Sequence, residues 1–357
     1  MRVYPIDHII SYARERSPYY KKLYSHLGGN PCLEQLPLVD QADFWSAADR
    51  GEVNTGEHMD GQIFKSGGTT GAPKHALYTA EEWRTMCEAA GMYMPLGGLK
   101  PGDKIANLFY AGGLYASFLY SYGSFFFSPV EVLQYSLSGN MEISETAEII
   151  ERMKINIVAG LPSKIMNVLE YMTEQEMTAH IDVIYYAGET FYPDQRRRVH
   201  AVLGDKIEFR SMSYASNDAG FMAYFHKESC GFNEHRSSDM FCRLEIIDTE
   251  TGEVIREAAR PGQIFVTSLY KLLTPIIRYP AGDMGPLGYE KEGFASFVAP
   301  HLLSVPGLSV LMGDKAVLHE GSKCGCGISS PYMEITGRAG TSAAKSCAIA
   351  ASELLKR

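Results

Sequence analysis

The sequence predicts an α/β fold: a largely parallel sheet flanked by helices on both faces, followed by a smaller β-rich subdomain. Three observations carry this. Short β-rich runs (KIANLFY, INIVAG, DVIYYAG, IEFRSMSY) recur between residues 104 and 214, and most finish at small residues. Stretches with helical periodicity separate them, and strand–helix alternation of this kind is satisfied by parallel strands with crossover helices. The chain has 357 residues, 45% hydrophobic and 21% charged, enough for a large core in one domain with subdomains or in two.

Taken in order, residues 1–60 read as a helical preface. IDHIISYARERSPYYKKLYSHL has apolar or aromatic residues at helical spacing and is interrupted at Pro18. In PLVDQADFW, Asp40 is the expected N-cap of a short helix. QIFKSG is a strand running into a glycine loop, and HALYT a strand leaving it. TAEEWRTMCEAAGMYM is a helix opened by a capping box of Thr79 and Glu82. SETAEIIERMK, PSKIMNVLEYM with Pro162 in its first turn, and YPDQRRRVHAVL supply helices between the β-rich runs. MFCRLEIID-TETG-EVI reads as a hairpin and GQIFVTS as the next strand. TPIIRYPAGDMG reads as a strand carrying Arg278 that breaks at Pro280. Residues 61–338 form the core on this reading, and 339–357 a short terminal helix.

Composition excludes several classes. The formal net charge is −9, which offers no electrostatic case for nucleic acid or an anionic membrane as partner. RERSPYYKK and DQRRR are local basic runs that read as solvated helix faces. No segment has the ~18 uninterrupted apolar residues of a membrane span; LFYAGGLYASFLYSYGSFFFSPV is broken by glycines, serines and tyrosines. Asp7 and His8 precede any apolar run, so the N-terminus does not read as a secretory signal. Seven cysteines do not read as a disulfide framework. A cytoplasmic protein is the expectation, and a homodimer is left open.

Four separated stretches carry chemistry. SGGTTGAPKH (66–75) lacks both the Gly-Lys-Ser/Thr ending and the G-x-G-x-x-G spacing of the common nucleotide loops. Its glycine-rich backbone N–H groups and Lys74 suit anionic oxygens, with a plain hairpin loop as the alternative. YYAGET (185–190) ends a β-run in Ala-Gly before Glu189. SYASNDAG (213–220) places Tyr214, a flat face for a base, and Asp218, a hard oxygen ligand, just past another strand; a turn cluster reads equally well. TPIIRYPAGDMG leaves Asp283 in a glycine-flanked turn, where a carboxylate can accept two hydroxyl hydrogen bonds; a simple Gly-Asp turn reads equally well. In such sheets ligands collect at the carboxyl ends of the strands.

In this order and spacing, SGGTTGAPK, YAGE, YASND and PIIRYPAGD resemble the successive core motifs of the acyl-adenylate-forming superfamily. The preface and the SPYY…LPLVDQADF run look most like its phenylacetate–CoA ligase branch. The resemblance covers about residues 10 to 338 and implies the large N-terminal-type domain of adenylate-forming enzymes, with ATP and Mg²⁺ as cofactors. It implies that Ser66, Gly67, Gly68, Thr69, Thr70, Gly71 and Lys74 hold the triphosphate, and that Gly188 and Glu189 line the adenine pocket. Tyr214 would stack on the base, with Ala215, Ser216 and Asn217 in the same nucleotide-binding stretch. Asp218 stands where the superfamily usually has Glu and would hold Mg²⁺. Asp283 would hold the ribose, and Arg338 would fall at the hinge. Tyr110, Ala111, Gly112, Gly113 and Tyr115, with Ser213, would wall the acyl pocket, which suits a flat aromatic acid. Lys74 and Asp218 are the expected catalytic residues.

Cys230 and His235 in CGFNEH, and Cys324 and Cys326 in CGCG, admit a tetrahedral Cys₃His zinc site or ordinary packed cysteines. The resemblance to phenylacetate–CoA ligases, which carry cysteine and histidine at these two places, implies a structural Zn²⁺. After ITGR the superfamily continues into a mobile lid domain, whereas here Ala339 and Gly340 follow and the chain ends in AGTSAAKSCAIAASELLKR. In its length and ending the chain also resembles a phenazine-pathway adenylating protein of antibiotic biosynthesis. The expected activity is therefore adenylation of an aromatic carboxylic acid, with release of pyrophosphate and transfer to a carrier protein, an acyltransferase or a reductase. A CoA ligase using another chain's lid, and a non-catalytic protein that binds ATP or an aromatic acid, are the alternatives.

Overall fold

A break between two helices begins the fold. Helix α1 (Ile6–Arg16) stops at Ser17 and α2 (Pro18–Leu23) restarts, because Pro18 brings no N–H and suits the first helical position. Ser17 Oγ caps the new helix by accepting the Tyr20 N–H at 3.4 Å. Helix α3 (Gln41–Asp49) starts at Asp40 as expected, the carboxylate accepting the Asp43 N–H at 2.9 Å. The computed structural model describes residues 1–29, 31–57, 60–65, 74–230, 232, 234–257, 260–288, 296–297, 313–319 and 332–339, with side chains up to Asp283.

Strands β1 (Gln62–Lys65) and β2 (His75–Tyr78) pair antiparallel, Lys65 opposite His75, across the glycine-rich segment 66–73, which lies outside the described residues. Helix α4 (Ala80–Tyr93) opens with the expected capping box: Glu82 N–H donates to Thr79 Oγ1 at 3.2 Å and Thr79 N–H to Glu82 Oε2 at 2.9 Å. Glu82 is buried because its second oxygen also accepts the backbone N–H groups of Leu272 and Leu273, at 2.6 and 2.8 Å.

The parallel sheet follows as β3 (Lys104–Asn107), α5 (Ser117–Phe126), β4 (Leu133–Tyr135), α6 (Ile143–Arg152), β5 (Ile157–Gly160), α7 (Pro162–Glu174), β6 (Val183–Tyr186), α8 (Pro193–Leu203) and β7 (Glu208–Ser211). The strand order is β4-β3-β5-β6-β7, every pair parallel. Successive side chains point to opposite faces, so each strand feeds two cores. Ile105, Ile157, Val183 and Tyr185 pack with Met86, Tyr120 and Phe125 of α4 and α5. Ala106, Val158, Ile184 and Tyr186 pack with Ile150, Ile165, Leu169 and Val199 of α6, α7 and α8. Among the described residues no helix is long and apolar enough to cross a membrane.

The remaining sheets are antiparallel. Strands β8 (Tyr214–Ser216), β9 (Gly220–Tyr224) and β10 (Arg236–Ser237) form one. A second contains β11 (Cys242–Ile247), β12 (Pro261–Ser268), β13 (Tyr279–Gly288) and β14 (Ser296–Phe297), and β15 (Gly313–His319) pairs with β16 (Tyr332–Ala339). Two expectations change here. IEFRSMSY is two strands, because the chain leaves the parallel sheet after Ser211 and enters the next at Tyr214. The TETG turn forms, with Gly252 N–H donating to Asp248 O at 2.8 Å, yet EVI contributes a single bridge, Val254 to Ile247, and β11 takes β12 as its partner. Of the expected terminal helix 339–357, Ala339 closes β16, and residues 340–357 lie outside the described residues.

The third correction concerns Arg278. The strand does not carry it and break at Pro280; it starts at Tyr279, with Pro280 opposite Phe265. Arg278 sits at φ 45°, a left-handed conformation rare for a side chain of this size. The surroundings over-determine it. Its Nε and Nη2 donate to the two Glu245 oxygens at 3.0 and 2.9 Å, and its Nη1 to the carbonyls of Glu34 and Leu36. Its backbone N–H reaches Thr267 Oγ1 and its carbonyl accepts the Val39 N–H, each at 3.0 Å. Tyr20 adds a second tie, its hydroxyl donating to the Pro275 carbonyl at 2.8 Å. The preface therefore packs on the antiparallel subdomain, with Ile9, Tyr20, Phe44 and Trp45 in one core with Met222, Ile264 and Tyr279. Removing the guanidinium strands a buried carboxylate and two carbonyls, so Arg278→Met is expected to cost about 3–5 kcal/mol. Urea unfolding checks this: the midpoint should fall sharply with an unchanged slope.

Candidate active site

Two groups of polar residues meet at the carboxyl end of the parallel sheet. The first comes from the strand ends themselves. After β3 the chain runs through Tyr110 into Gly112, Gly113 and Leu114, all three at positive φ, a reversal that two glycines make accessible. After β5 comes Ser163 in the first turn of α7, after β6 Gly188 and Glu189, and after β7 Ser213. Glu189 accepts from the Ser163 N–H and Oγ–H, both at 3.0 Å, which ties the β6 end to the α7 N-terminus. Tyr110 is half-buried beside it, its phenol pushed up by burial and then by the Glu189 charge. Gly139 lies against this ring: a Cβ there would come within 2.7 Å of the Leu108 carbonyl and 3.1 Å of the Tyr110 ring. Asn140 holds the Ala111 carbonyl at 2.8 Å, and Tyr120 hydrogen-bonds Ser213 at 2.9 Å. Tyr115 lies 5.4 Å beneath the Lys65 ammonium.

The second group surrounds the two roots of the glycine loop. Ser66, Gly67, Gly68, Thr69, Thr70 and Gly71 lie outside the described residues, but Lys65 and Lys74 do not. The Lys65 N–H donates to Leu114 O and its carbonyl accepts from Asn217 Nδ2, each at 3.1 Å. The loop therefore springs from a point clamped between the β3 end and the β8–β9 turn. At the other root the Lys74 ammonium lies 5.5 Å from the Trp45 ring centroid. Burial lowers its pKa and the Asp218 carboxylate opposes that. Asp218 Oδ2 accepts the Tyr279 hydroxyl at 2.8 Å, and Tyr279 in turn accepts from Trp45 Nε1 at 2.7 Å and Gln41 Nε2 at 3.1 Å. Helix α3 of the preface is thus a wall of the site.

Two neighbouring carbonyls of the β8–β9 turn are held as well. Tyr78 donates to Asn217 O at 2.6 Å and Lys271 Nζ to Asp218 O at 2.8 Å, with the ammonium 3.8 Å over the Tyr78 ring. Sequence reasoning missed Gln41, Trp45, Tyr78, Lys271 and Tyr279. Tyr279 stood inside a quoted motif, two residues after the β-rich PII and four before Asp283; the others carried no signal that separates them from core or surface positions.

Tyr214 and Asp283 differ from expectation. The Tyr214 ring, expected to offer a face to a base, is 1% exposed and packs in the core. Its hydroxyl donates to Asp283 Oδ2 at 2.9 Å, and Asp283 is 4% exposed. Burial first, then the Asp283 charge, raises the phenol well above its ordinary range. The two groups expected to meet base and ribose thus form a closed buried pair. Ala215 and Ser216 lie on β8, and Ser216 Oγ accepts the Ala219 N–H at 3.0 Å, shaping the turn that carries Asp218. Arg338 lies on β16 opposite Asp314.

The zinc expectation finds no support. Cys324 and Cys326 lie outside the described residues, and among the described residues no three His, Cys, Asp or Glu side chains gather as a metal group. Burial raises the Cys230 thiol to about 11, and its sulfur accepts the His226 N–H at 3.4 Å. His235 is buried with Nε2 hydrogen-bonded to Ser211 Oγ at 2.6 Å. Asp218, by contrast, is a partly exposed carboxylate beside the glycine-loop root, a donor suited to Mg²⁺.

No family model matches the chain. It is 24% identical over 298 residues to the phenylacetate–coenzyme A ligase of Thermus thermophilus, covering 80% of this chain and 64% of that protein. To the phenylacetate–coenzyme A ligase of Pseudomonas putida it is 23% identical over 287 residues (77% and 63%), and to the indoleacetate–lysine synthetase of Pseudomonas savastanoi 23% over 272 residues (72% and 61%). The chain thus spans less than two thirds of the length of these relatives. Among solved structures, 2-hydroxyisobutyryl-CoA ligase in complex with 2-HIB-AMP and CoA superposes with a TM-score of 0.71 at 16% identity, over 83% of this chain and 65% of that one. The fold is that of acyl-adenylate-forming ligases. Within that class, the sequence relatives are phenylacetate–CoA ligases and an indoleacetate–lysine synthetase.

Lys271 generates a prediction. It is 1% exposed, and burial pushes its pKa from 10.5 down to about 8, against the opposing charges of Glu82 and Asp218. The folded chain then holds this proton less tightly than the unfolded chain, so stability rises with pH across that window and is lost as pH falls from 10.5 to 8. Relative to Lys271→Met, the wild-type chain is expected to gain about 3 kcal/mol over the window. Denaturant unfolding of both chains at several pH values checks it; a constant difference contradicts it.

Proposed function

We propose that this chain adenylates an aromatic carboxylic acid, releases pyrophosphate and passes the acyl group to an acceptor. The observation that carries the reading is the meeting of Lys74 and Asp218 beside the clamped roots of the glycine loop, at the carboxyl end of the parallel sheet. A carboxylate oxygen attacks the α-phosphorus, the bond to the bridging β-phosphate oxygen breaks, and pyrophosphate leaves with the electron pair. The protein's task is positioning and charge neutralisation. Lys74 places a fixed positive charge at the loop root, and a glycine-rich sequence such as Ser66 to Gly71 is suited to offering backbone N–H groups to phosphate oxygens. Asp218 would hold Mg²⁺, which neutralises phosphate charge when bound. Gly188 and Glu189 line the adenine side, and Tyr214 with Asp283 serves the nucleoside once that pair opens.

The acid lies on the side of Tyr110, Ala111, Gly112, Gly113, Tyr115 and Ser213. The relatives are named for phenylacetate and indoleacetate, so we place arylacetic acids ahead of a phenazine carboxylate. The relatives' names also give coenzyme A and lysine as acceptors, so a thiol or an amine is the acceptor class proposed; a carrier protein or an acyltransferase would present such a nucleophile, whereas a reductase would need a hydride donor as well. Carboxylate-dependent ATP–pyrophosphate exchange across aromatic and aliphatic acids tests the reading. Exchange is expected with arylacetates and is expected to fall about 100-fold in Lys74→Ala and Asp283→Ala. ATP binding without exchange for any acid would contradict it.

A further inference from the structure

A buried lysine that pairs with a carbonyl is an expensive way to fill a core. Lys271 is such a residue: among the described residues its hydrogen bond goes to the Asp218 carbonyl at 2.8 Å, not to a carboxylate. Glu82 lies within electrostatic reach, but its oxygens are taken by the N–H groups of Thr79, Leu272 and Leu273. A methionine of similar volume would fill the space without the desolvation cost. The lysine's remaining contact is with Tyr78, whose ring lies 3.8 Å beneath the ammonium. Tyr78 is fully buried, and its hydroxyl donates to the Asn217 carbonyl at 2.6 Å. Two stacked side chains from distant segments, one just after β12 and one at the end of β2, therefore hold two consecutive carbonyls of one turn.

That turn carries Asp218. An aspartate has one methylene between backbone and carboxylate, so the carboxylate goes where the backbone places it. On its other side Oδ2 is held by Tyr279 at 2.8 Å, and Tyr279 is fixed by Trp45 and Gln41. We propose that Lys271 and Tyr78 are positioning residues that hold the Asp218 backbone in register for Mg²⁺–ATP. The proposal rests on the adenylation reading, because it supposes that Asp218 meets the metal. Partners one shell out from a metal ligand act on metal affinity rather than on every part of the ligand equally.

Calorimetry of ATP binding with Mg²⁺ and with EDTA separates this from a packing role. In the wild-type chain Mg²⁺ is expected to tighten ATP binding. In Lys271→Met that gain should shrink about 10-fold or more, while binding in EDTA changes less than about 3-fold. Tyr78→Phe, which removes a single hydroxyl, should lose the gain in the same sense to a smaller degree, and it decides the matter if Lys271→Met does not fold. A purely structural role would weaken both measurements alike, or lower the melting temperature with the Mg²⁺ gain intact, and either result overturns the proposal. If the wild-type chain binds no ATP under either condition, the adenylation reading itself fails and takes this proposal with it.

Discussion

The reversal at Arg278 is the constraint on which the rest of the site depends. Its left-handed backbone starts β13 at Tyr279 and sets the phase of that strand. That phase places the Tyr279 hydroxyl on Asp218 and the Asp283 carboxylate on Tyr214. Strain of this kind persists where surroundings over-determine it. Here a two-pronged ion pair to Glu245, a guanidinium bond to the Leu36 carbonyl, and bonds from the Arg278 backbone to the Thr267 hydroxyl and the Val39 N–H do so. The preface is therefore part of the same mechanical unit as Lys74 and Asp218. Trp45 makes this concrete, its ring beside Lys74 and its indole N–H on Tyr279.

Seen together, the polar residues follow one logic. Polar groups at the site are held by partners from distant segments: Glu189 by Ser163, the Asn217 carbonyl and amide nitrogen by Tyr78 and Lys65, Asp283 by Tyr214. Such bonds join the parallel sheet, the β1–β2 hairpin, the preface and the antiparallel subdomain at one place. The switch in strand order around β3, with β4 on one side and β5 on the other, is where the segment from Tyr110 to Tyr115 leaves the sheet.

Much of this was legible in the sequence, for physical reasons. The parallel strands carry near-continuous apolar runs because both faces are covered, and their ends at Gly160 and Gly188 mark the turns into the site. Thr79 and Glu82 announced α4 because a capping box is local chemistry. What was not legible depended on tertiary partners. Arg278 looked like a strand residue, since nothing within a few positions reveals Glu245 or Leu36. Tyr214 looked like a stacking platform, and only packing shows its ring in the core and its hydroxyl on Asp283. Trp45, at the end of PLVDQADFW, and Lys271 carry no local signal of their own, and their roles come from neighbours more than 100 positions away, Tyr279 for the first and Tyr78 for the second.

The central claim is that an acid's oxygen attacks the α-phosphorus of ATP. The most direct measurement follows that oxygen. An arylacetate labelled with ¹⁸O in both carboxylate positions is incubated with the protein, ATP, Mg²⁺ and hydroxylamine as acceptor, and the nucleotide product is weighed by mass spectrometry. AMP carrying one ¹⁸O is expected, left behind when the acyl carbon moves to the acceptor. AMP without label, or ADP as the product, would contradict it.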